Sequence, residues 1–470
     1  MSLLMSDAPF EKRVETAFAN PERVQATSGA AYRFFEGRER VLATLPDADA
    51  TRDLGRAIRA HTIAHLDQYL TQFEANLQAA GGQVHWARDA AEAQATVKEI
   101  AQQTGSKLIA KSKSMVSEEI QLNHALEEAG MEVVETDLGE FIAQKGGDHP
   151  SHIIAPVLHL TRQEVGHIFE DKLGVDYTDD PTELNNIARR TLREVYLKAD
   201  MGITGCNFGV AETGTVCLVT NEGNARMVTS LPRVHVVLMG MERLVPKVED
   251  LSVMLQLLAR SATGQKLTVY TSLITGPKRA HEPYGPEEMH VVIIDNGRSK
   301  ALAGELAEIL YCIRCGACLN VCPVYRAIGG HAYGSVYPGP IGSVISPIFG
   351  GIPAFAELPH ASTLCGACQD ACPVRIDLPT LLLRLRKETV QAGKSPGYLN
   401  AGMKVYAAAA SKPGRFKLAA GLAGFFSSFV RGRWFKGRLP GPLDRWTRFR
   451  QFPLFARKTF QQSWQEAHHE

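Results

Sequence analysis

The sequence predicts an α/β body with a largely parallel sheet over residues 61–300, then a cysteine-rich domain and a basic helical tail. Three observations predict it. Short apolar runs alternate with helical patterns through the middle of the chain. Seven of the nine cysteines fall between Cys312 and Cys372. Beyond them the charge changes sign: residues 380–470 hold 17 Lys and Arg against 4 Asp and Glu, whereas residues 1–379 hold 34 against 46. With 470 residues, 45% apolar and 21% charged, the chain can build several cores and is not disordered.

The first 80 residues read as helices, with residues 1–60 as a separate helical segment. QYLTQFEANLQAAGG has helical apolar spacing and stops at Gly81-Gly82. QVHWA is then a strand, DAAEAQATVKEIAQQTG a helix, KLIAKS a strand, SEEIQLNHALEEAG a helix and MEVVETD a strand. Ser117 with Glu118 and Glu119 reads as a capped helix start. TELNNIARRTLREVYLKA and DLSVMLQLLARSA follow as helices. TVCLVTN, VHVVLMG, KLTVYTSLI and HVVIID follow as strands.

Residues 301–380 carry the chemistry. CIRCGACLNVCP is C-x2-C-x2-C-x3-C-P, the bacterial run for a [4Fe–4S] cluster. Four thiolates must surround a compact body; three closely spaced cysteines wrap one side, and Pro323 turns the chain after the fourth. Zinc is the rival, but four-cysteine zinc sites use two separated C-x2-C pairs. CGACLNVCPV at Cys315–Val324 repeats as CGACQDACPV at Cys365–Val374, an offset of 50 that maps Cys312 onto Ser362. In two-cluster ferredoxins the last cysteine of each run ligates the other cluster. Cys312, Cys315, Cys318 and Cys372 are therefore expected to hold a [4Fe–4S] cluster 1. Cys322, Cys365 and Cys368 are expected to hold cluster 2, one thiolate short. Cluster 2 is then [3Fe–4S], or [4Fe–4S] with a ligand from Ser362, His360, His331 or Glu357, or [4Fe–4S] with one iron open to solvent or a partner. Clustered cysteines of odd number argue against a disulfide framework.

Between the runs, GGHAYGSVYPGPIGSVISPIFGGIP reads as a long Gly- and Pro-rich loop. It is expected to cover the clusters. The alternative is a docking surface with Tyr333 and Tyr337 exposed. In the body, Glu212 lies in a Gly/Thr turn, either as a turn residue or as a nucleophile or base. Lys111 and Lys113 end a strand before a helix start, a geometry suited to an anion, with solvated lysines as the plain alternative. His124, His149, His152, His159 and His235 form no metal pattern, and Cys206 and Cys217 read as small buried hydrophobes.

Asp7, Glu11, Lys12 and Arg13 interrupt any export signal, so a cytoplasmic location is expected. Leu418–Val430 as a helix reaches only about 20 Å, short of a hydrocarbon core of about 30 Å. RFKLAAGLAGFFSSFVRGRWFKGR is read as a partner-docking or self-packing helix, with a peripheral contact to anionic lipid as the rival. No motif supports nucleic-acid binding.

AKSKSMVSEEIQLNHALEEAGMEVVETDLGEFI, PSHIIAPVLHLTR, ADMGITGCNFGVAETGTVCLVTNEGNARM, IRCGACLNVCPVYRAIGGHAYGSVYPGPIG and CGACQDACPV resemble the lactate-utilisation protein B family of bacterial L-lactate oxidation. The resemblance implies a three-layer LUD domain, similar to the sugar-isomerase and CoA-transferase superfamily. It also implies a mostly helical two-cluster ferredoxin domain at 301–380 and a basic region at 381–470. It implies companions, lactate-utilisation proteins A and C, in oxidising L-lactate to pyruvate, with an unspecified electron acceptor. The missing first cysteine of the second run is also the family's pattern. The expected function is an electron-transfer subunit of an oxidoreductase. The alternative is a catalytic LUD domain that binds a small acid or CoA-like ligand near Glu212, Lys111 and Lys113.

Overall fold

The computed structural model describes residues 3–427 without a break, then residues 429, 434–435, 437–438, 444–447, 451–456 and 458–468. Residues 1–392 form one compact unit and residues 393–470 a second.

The first unit opens with four helices, Phe10–Phe18, Pro21–Leu42, Ala48–Ala64 and Leu66–Ala79. Asn20, Asp47 and Asp89 cap the helices that follow them by accepting backbone N–H bonds. Ten strands follow: β1 (Gln83–Ala87), β2 (Leu108–Lys111), β3 (Glu132–Glu135), β4 (Met201–Thr204), β5 (Phe208–Val210), β6 (Thr215–Thr220), β7 (Val234–Gly240), β8 (Leu244–Val245), β9 (Tyr270–Ile274) and β10 (Glu288–Ile294).

Six of them form a sheet in the order β1-β10-β7-β4-β2-β3, parallel throughout. A smaller sheet, β8-β5-β6-β9, pairs β6 antiparallel to both neighbours. Both faces of the large sheet are covered, so its strands are nearly all apolar. Alternation still sorts the side chains. Val234, Val236 and Leu238 of β7 face a core with Val97 and Ile100 of the helix Ala90–Gln103. Val237 and Met239 face the opposite core, which they share with Phe73, Val216, Leu257 and the cysteine region. Residues after 300 therefore complete the core of the sheet rather than standing apart from it.

From β2 the chain runs outward to β3, then returns to β4 on the other side and continues to β7. The order reverses between β2 and β4. In open parallel sheets the crevice beyond the strand C-termini at such a point is where ligands bind.

Several expectations need correcting. The helix expected from Ser117 starts at Met115, with Ser114 as its cap: the Ser114 hydroxyl accepts the Ser117 N–H at 3.2 Å. SEEIQLNHALEEAG is two short helices, Met115–Glu119 and Leu122–Glu128, broken at Gln121 with φ 49°. The segment read as a loop contains a helix, Gly339–Gly350, and a further turn of helix, Ile352–Phe355. Ile341, Val344, Ile345 and Ile348 recur at helical spacing and are buried, so apolar period outweighed Gly and Pro content. Tyr333 and Tyr337 are fully buried, which removes the exposed-tyrosine surface and leaves a cover. The helix Leu378–Gln391 packs in the first unit, past the expected tail boundary at residue 381.

In the second unit the helices Gly397–Ala410 and Pro413–Ser427 pack on each other, and Trp434–Phe435 pairs with Phe452–Pro453. Parts of the aromatic, basic stretch lie outside the described residues, Arg431 and Arg433 among them. Among the described residues no helix is long and apolar enough to cross a membrane.

Candidate iron–sulfur sites and an adjoining cavity

The two cysteine runs fold as copies of one another. Arg314 and its repeat mate Leu364 take φ of 58° and 55°. Gly316 and Gly366 follow at 75° and 85°, then the short helices Ala317–Val321 and Ala367–Ala371, which pack together. Each helix ends in an extended cysteine, Cys322 or Cys372, followed by a proline. The Cys312 sulfur accepts the Arg314 N–H at 3.3 Å, and the Ser362 hydroxyl accepts the Leu364 N–H at 3.1 Å. Ser362 thus occupies the place of the missing cysteine in geometry as well as in alignment.

Cys312, Cys315, Cys318 and Cys372 line one small apolar cavity with Ile313, Ile341 and Val374. Burial raises the Cys315 thiol pKa, and Cys372 and Cys312 raise it further. Burial pushes Cys372 up to about 11, with Cys312 adding to it. In the other group burial pushes Cys368 up to about 12, reinforced by Cys322 and Cys365. Cys322 is raised by burial, and Cys365 adds to it. Cys365 itself is exposed, and hydrogen bonds from Thr363 and the Ala367 N–H hold its pKa below the ordinary value. Four sulfurs thus share one cavity, and Cys368 is influenced by Cys322 and Cys365. Soft donors around a small, mostly apolar space fit an iron–sulfur cluster in the first group.

Two of the remaining candidates for a fourth ligand, Glu357 and His331, are engaged elsewhere. The Glu357 carboxylate accepts the Phe10 N–H at 3.0 Å. His331 Nε2 bonds the His149 carbonyl at 2.8 Å and lies 3.6 Å from Asp148, which also accepts from His159 at 3.0 Å. These three side chains, Asp148, His159 and His331, could converge on a metal ion, although their hydrogen bonds already satisfy one another. Burial lowers the pKa of His360, and Arg386 lowers it further.

A buried ionic network ties the first run to the sheet. Arg298 grips Glu119 through two bonds of 2.8 and 2.9 Å and donates to Glu242 at 2.5 Å. Tyr337 donates to Glu119 at 2.7 Å, and Arg314 reaches Glu242 at 3.4 Å. Burial opposes the Glu242 charge, but Arg298, Arg243 and Arg314 outweigh it and bring its pKa down to about 2. His152 braces the same run. Its Nδ1 accepts the Ile154 and Ala155 N–H groups, leaving Nε2 to donate to Asn320 at 3.1 Å.

The crevice between β2 and β4 opens into a cavity of about 320 Å³. Its walls include Lys113 and Ser114 after β2, Asn207 after β4, Asp137, Glu222 and Asn224, and the two arginines Arg243 and Arg314. Lys113 lies on this wall, paired with Glu140 at 3.0 Å. Lys111 does not line it. Its ammonium is fully buried 2.6 Å from Glu135 and 3.0 Å from Glu118. Burial alone would lower its pKa, but Glu135, Glu118 and Glu140 override that and keep it charged. Glu212 is outside the cavity as well. It is exposed, and its carboxylate meets the Val248 N–H at 3.4 Å at the start of the helix Val248–Thr263. The turn reading of Glu212 therefore describes what it does.

The sequence alone does not mark Arg243, Arg314, Glu242 or Arg298, and it gives Glu119 only a helix start and His152 no metal pattern. One signal was available for Arg314: at the offset of 50 its counterpart is Leu364, so the copies differ in charge where their backbones agree.

Three family models match the chain: a LUD domain over residues 70–294, a 4Fe-4S dicluster domain over residues 308–376, and a lactate utilisation protein B C-terminal region over residues 384–469. Lactate utilization protein B of Bacillus pumilus is 47% identical over 463 residues, covering 98% of both chains. That of Bacillus cytotoxicus is 46% identical over 471 residues, covering 100% of this chain and 99% of its own. The crystal structure of a DUF162 family protein from Deinococcus radiodurans covers 49% of this chain and 98% of its own, at 15% identity and a TM-score of 0.28, a likeness too slight to bear on the fold. With relatives of this identity along its whole length, the chain belongs to the lactate utilization protein B family.

Proposed function

We propose that this chain is the iron–sulfur electron-transfer component of an L-lactate oxidation system, an oxidoreductase assembly formed with lactate-utilisation proteins A and C. The observation that supports the reading is that four of the seven thiols share one small buried cavity while, of the other three, Cys365 reaches solvent. Two iron–sulfur clusters, when bound, supply one-electron redox chemistry. The chain's own part is to hold the thiolates, keep water from the first group and present the second at the surface. Conversion of lactate to pyruvate releases two electrons, and a pair of one-electron sites can pass them on singly. The relatives' name supports lactate as the source. We place the protein in the cytoplasm, where a reducing pool keeps thiols available, with the basic tail contacting companion proteins.

The test is anaerobic isolation with the native partners. Iron and acid-labile sulfide are counted, and electron paramagnetic resonance (EPR) spectra are taken as lactate is added. The expected result is iron and sulfide for two clusters, with reduced-cluster signals growing on addition. Protein that binds zinc and contains no sulfide would overturn the reading.

A second reading, a catalytic LUD domain acting on a small acid or CoA-like ligand, draws support from the cavity at the strand-order reversal. It no longer involves Glu212 or Lys111.

A further inference from the structure

The cavity between β2 and β4 has an unusual charge arrangement. Arg243 and Arg314 are each only 7% exposed, yet Arg243 Nε and Arg314 Nη1 have no hydrogen-bond partner. Arg243 reaches only the Cys312 carbonyl at 3.4 Å and Glu242 at 3.9 Å. Glu242 is already engaged by Arg298 at 2.5 Å. Two buried guanidiniums therefore share the remainder of one carboxylate. Leaving such donors unsatisfied is costly, and the natural remedy is an anion.

Two positions for that anion exist. Arg314 lines both the cavity of the first four cysteines and the larger cavity, so part of its charge faces the thiolates. Arg243 lines only the larger cavity. Elsewhere on its wall lie Asp137 and Glu222, which form no ion pair with either arginine among the described residues. Asn224, 5% exposed, leaves its side-chain oxygen unpaired. Besides the guanidinium forks and the Lys113 ammonium, which pairs with Glu140 at 3.0 Å, the wall offers acceptors for a hydroxyl.

We propose that this cavity binds a small hydroxy-carboxylate, its carboxylate held by Arg243 and Arg314 and its hydroxyl turned to Asn224 and the Asp137–Glu222 carboxyls. Guanidinium forks match a carboxylate two bonds at a time. A phosphate ester fits less well. The helices starting in the cavity, Met115–Glu119 and Asn224–Ser230, have only five and seven residues, and two acidic groups oppose a dianion. The inference deepens the electron-transfer reading and rests on it for its consequence: a ligand on Arg314 sits between the chain positions of Cys312 and Cys315.

The experiment uses the full chain with its clusters loaded, handled anaerobically, with L-lactate as probe and inorganic phosphate and acetyl-CoA as comparisons. Calorimetry is expected to show saturable lactate binding. Arg243→Gln should weaken it about ten- to a hundredfold, Arg243→Lys should recover part of it, and Asp137→Asn should weaken it as well. Lactate should also shift the EPR signal of the four-thiolate cluster in the wild type and not in Arg243→Gln. Three results overturn the proposal: no saturable lactate binding, binding unchanged in both the Arg243→Gln and Asp137→Asn variants, or preference for phosphate or acetyl-CoA. If Arg243→Gln does not fold, Asp137→Asn decides. Iron and sulfide are counted on the same sample. Their absence defeats the electron-transfer reading, whereas a full complement with no lactate binding defeats only this inference.

Discussion

Gly316 and Gly366 have nearly the same backbone, but a Cβ on Gly316 would meet Ile154 at 3.2 Å and His152 at 3.3 Å, while one on Gly366 would meet nothing within 4 Å. The same contrast holds at three further repeat positions, although Cys318 and Cys368 are equally buried and Val324 is less buried than its mate Val374. Arg314 joins a buried ionic network, whereas its mate Leu364 is half-buried and apolar. Asn320 is buried against His152, and its mate Asp370 is exposed. Cys315 is buried, and its mate Cys365 is exposed. Duplication preserved the backbone that points the sulfurs, while the surroundings diverged. Burial and nearby charge tune the potential of an iron–sulfur site. The first group is therefore insulated and coupled to the sheet, and the second reaches solvent at Cys365.

If that contrast is real, equivalent mutations must have unequal effects. The largest difference is expected between Cys315→Ala and Cys365→Ala. A structural metal site contributes on the order of 10 kcal/mol, comparable to the whole stability of a domain. Cys315→Ala should lose the first group's iron and unfold at a much lower urea concentration, because Cys315 lies within the shared core. Cys365→Ala should lose iron only from the second group and unfold close to wild type. Equal losses of stability would erase the comparison. Glu119→Gln comes next. It leaves Arg298 with a broken partner in full burial, which should cost about 3–5 kcal/mol by urea denaturation.

Acid sharpens the contrast through His152. Burial lowers its pKa from 6.5 to about 3, against the Asn320 hydrogen bond. A proton on Nδ1 would also face the two N–H donors of Ile154 and Ala155. Between pH 6.5 and about 3 the unfolded chain binds this proton and the native chain does not, so stability falls as pH drops through that window and is unaffected above it. Asp137 has the opposite sign. Its pKa is pushed up to about 7, by burial first and then by Glu140 and Glu222, with Lys113 opposing. Total stability thus mixes both groups, and the informative quantity is the difference between wild type and His152→Gln. That difference should change by about 1.4 kcal/mol per pH unit below pH 6.5 and be flat above it. A smaller effect is expected from the glycines. Gly366→Ala should cost about 1–2 kcal/mol for its left-handed backbone alone, and Gly316→Ala more, since Ile154 and His152 must also move.

Spacing made the cysteine groups legible, because one chemistry explains C-x2-C-x2-C-x3-C-P and because the second run repeats it. The strands were legible for a similar reason: β7 and β10 are nearly pure apolar runs that only a sheet covered on both faces can use. What stayed hidden depends on distant residues. Lys111 and Lys113 are two positions apart, yet one is locked between Glu118 and Glu135 and the other lines a cavity, and nothing local to the strand says which. The helix Gly339–Gly350 was hidden differently. Its Ile341, Val344, Ile345 and Ile348 carry the helical period, but composition was weighed before period. Arg243 had no local signal at all, since its role comes from a chain segment some 70 residues later that brings Cys312 and Arg314 against it.

Ser362→Cys tests the comparison with the least disturbance to the fold. Ser362 already makes the contact that Cys312 makes, since its hydroxyl accepts the Leu364 N–H as the Cys312 sulfur accepts that of Arg314. A thiol there needs no new backbone, and the site is only half-buried, so the change in stability should fall within about 0.5 kcal/mol. The effect belongs in the second group's spectra. A fourth thiolate adds negative charge and a soft donor, which should lower that group's reduction potential and bring its EPR signal toward that of the first group. Iron per chain should rise if the native site lacks one metal, and stay constant if an oxygen, a nitrogen or water holds it. Unchanged spectra, iron and potential would mean that position 362 does not face the second group, and that the two runs match in backbone without matching in the site they build.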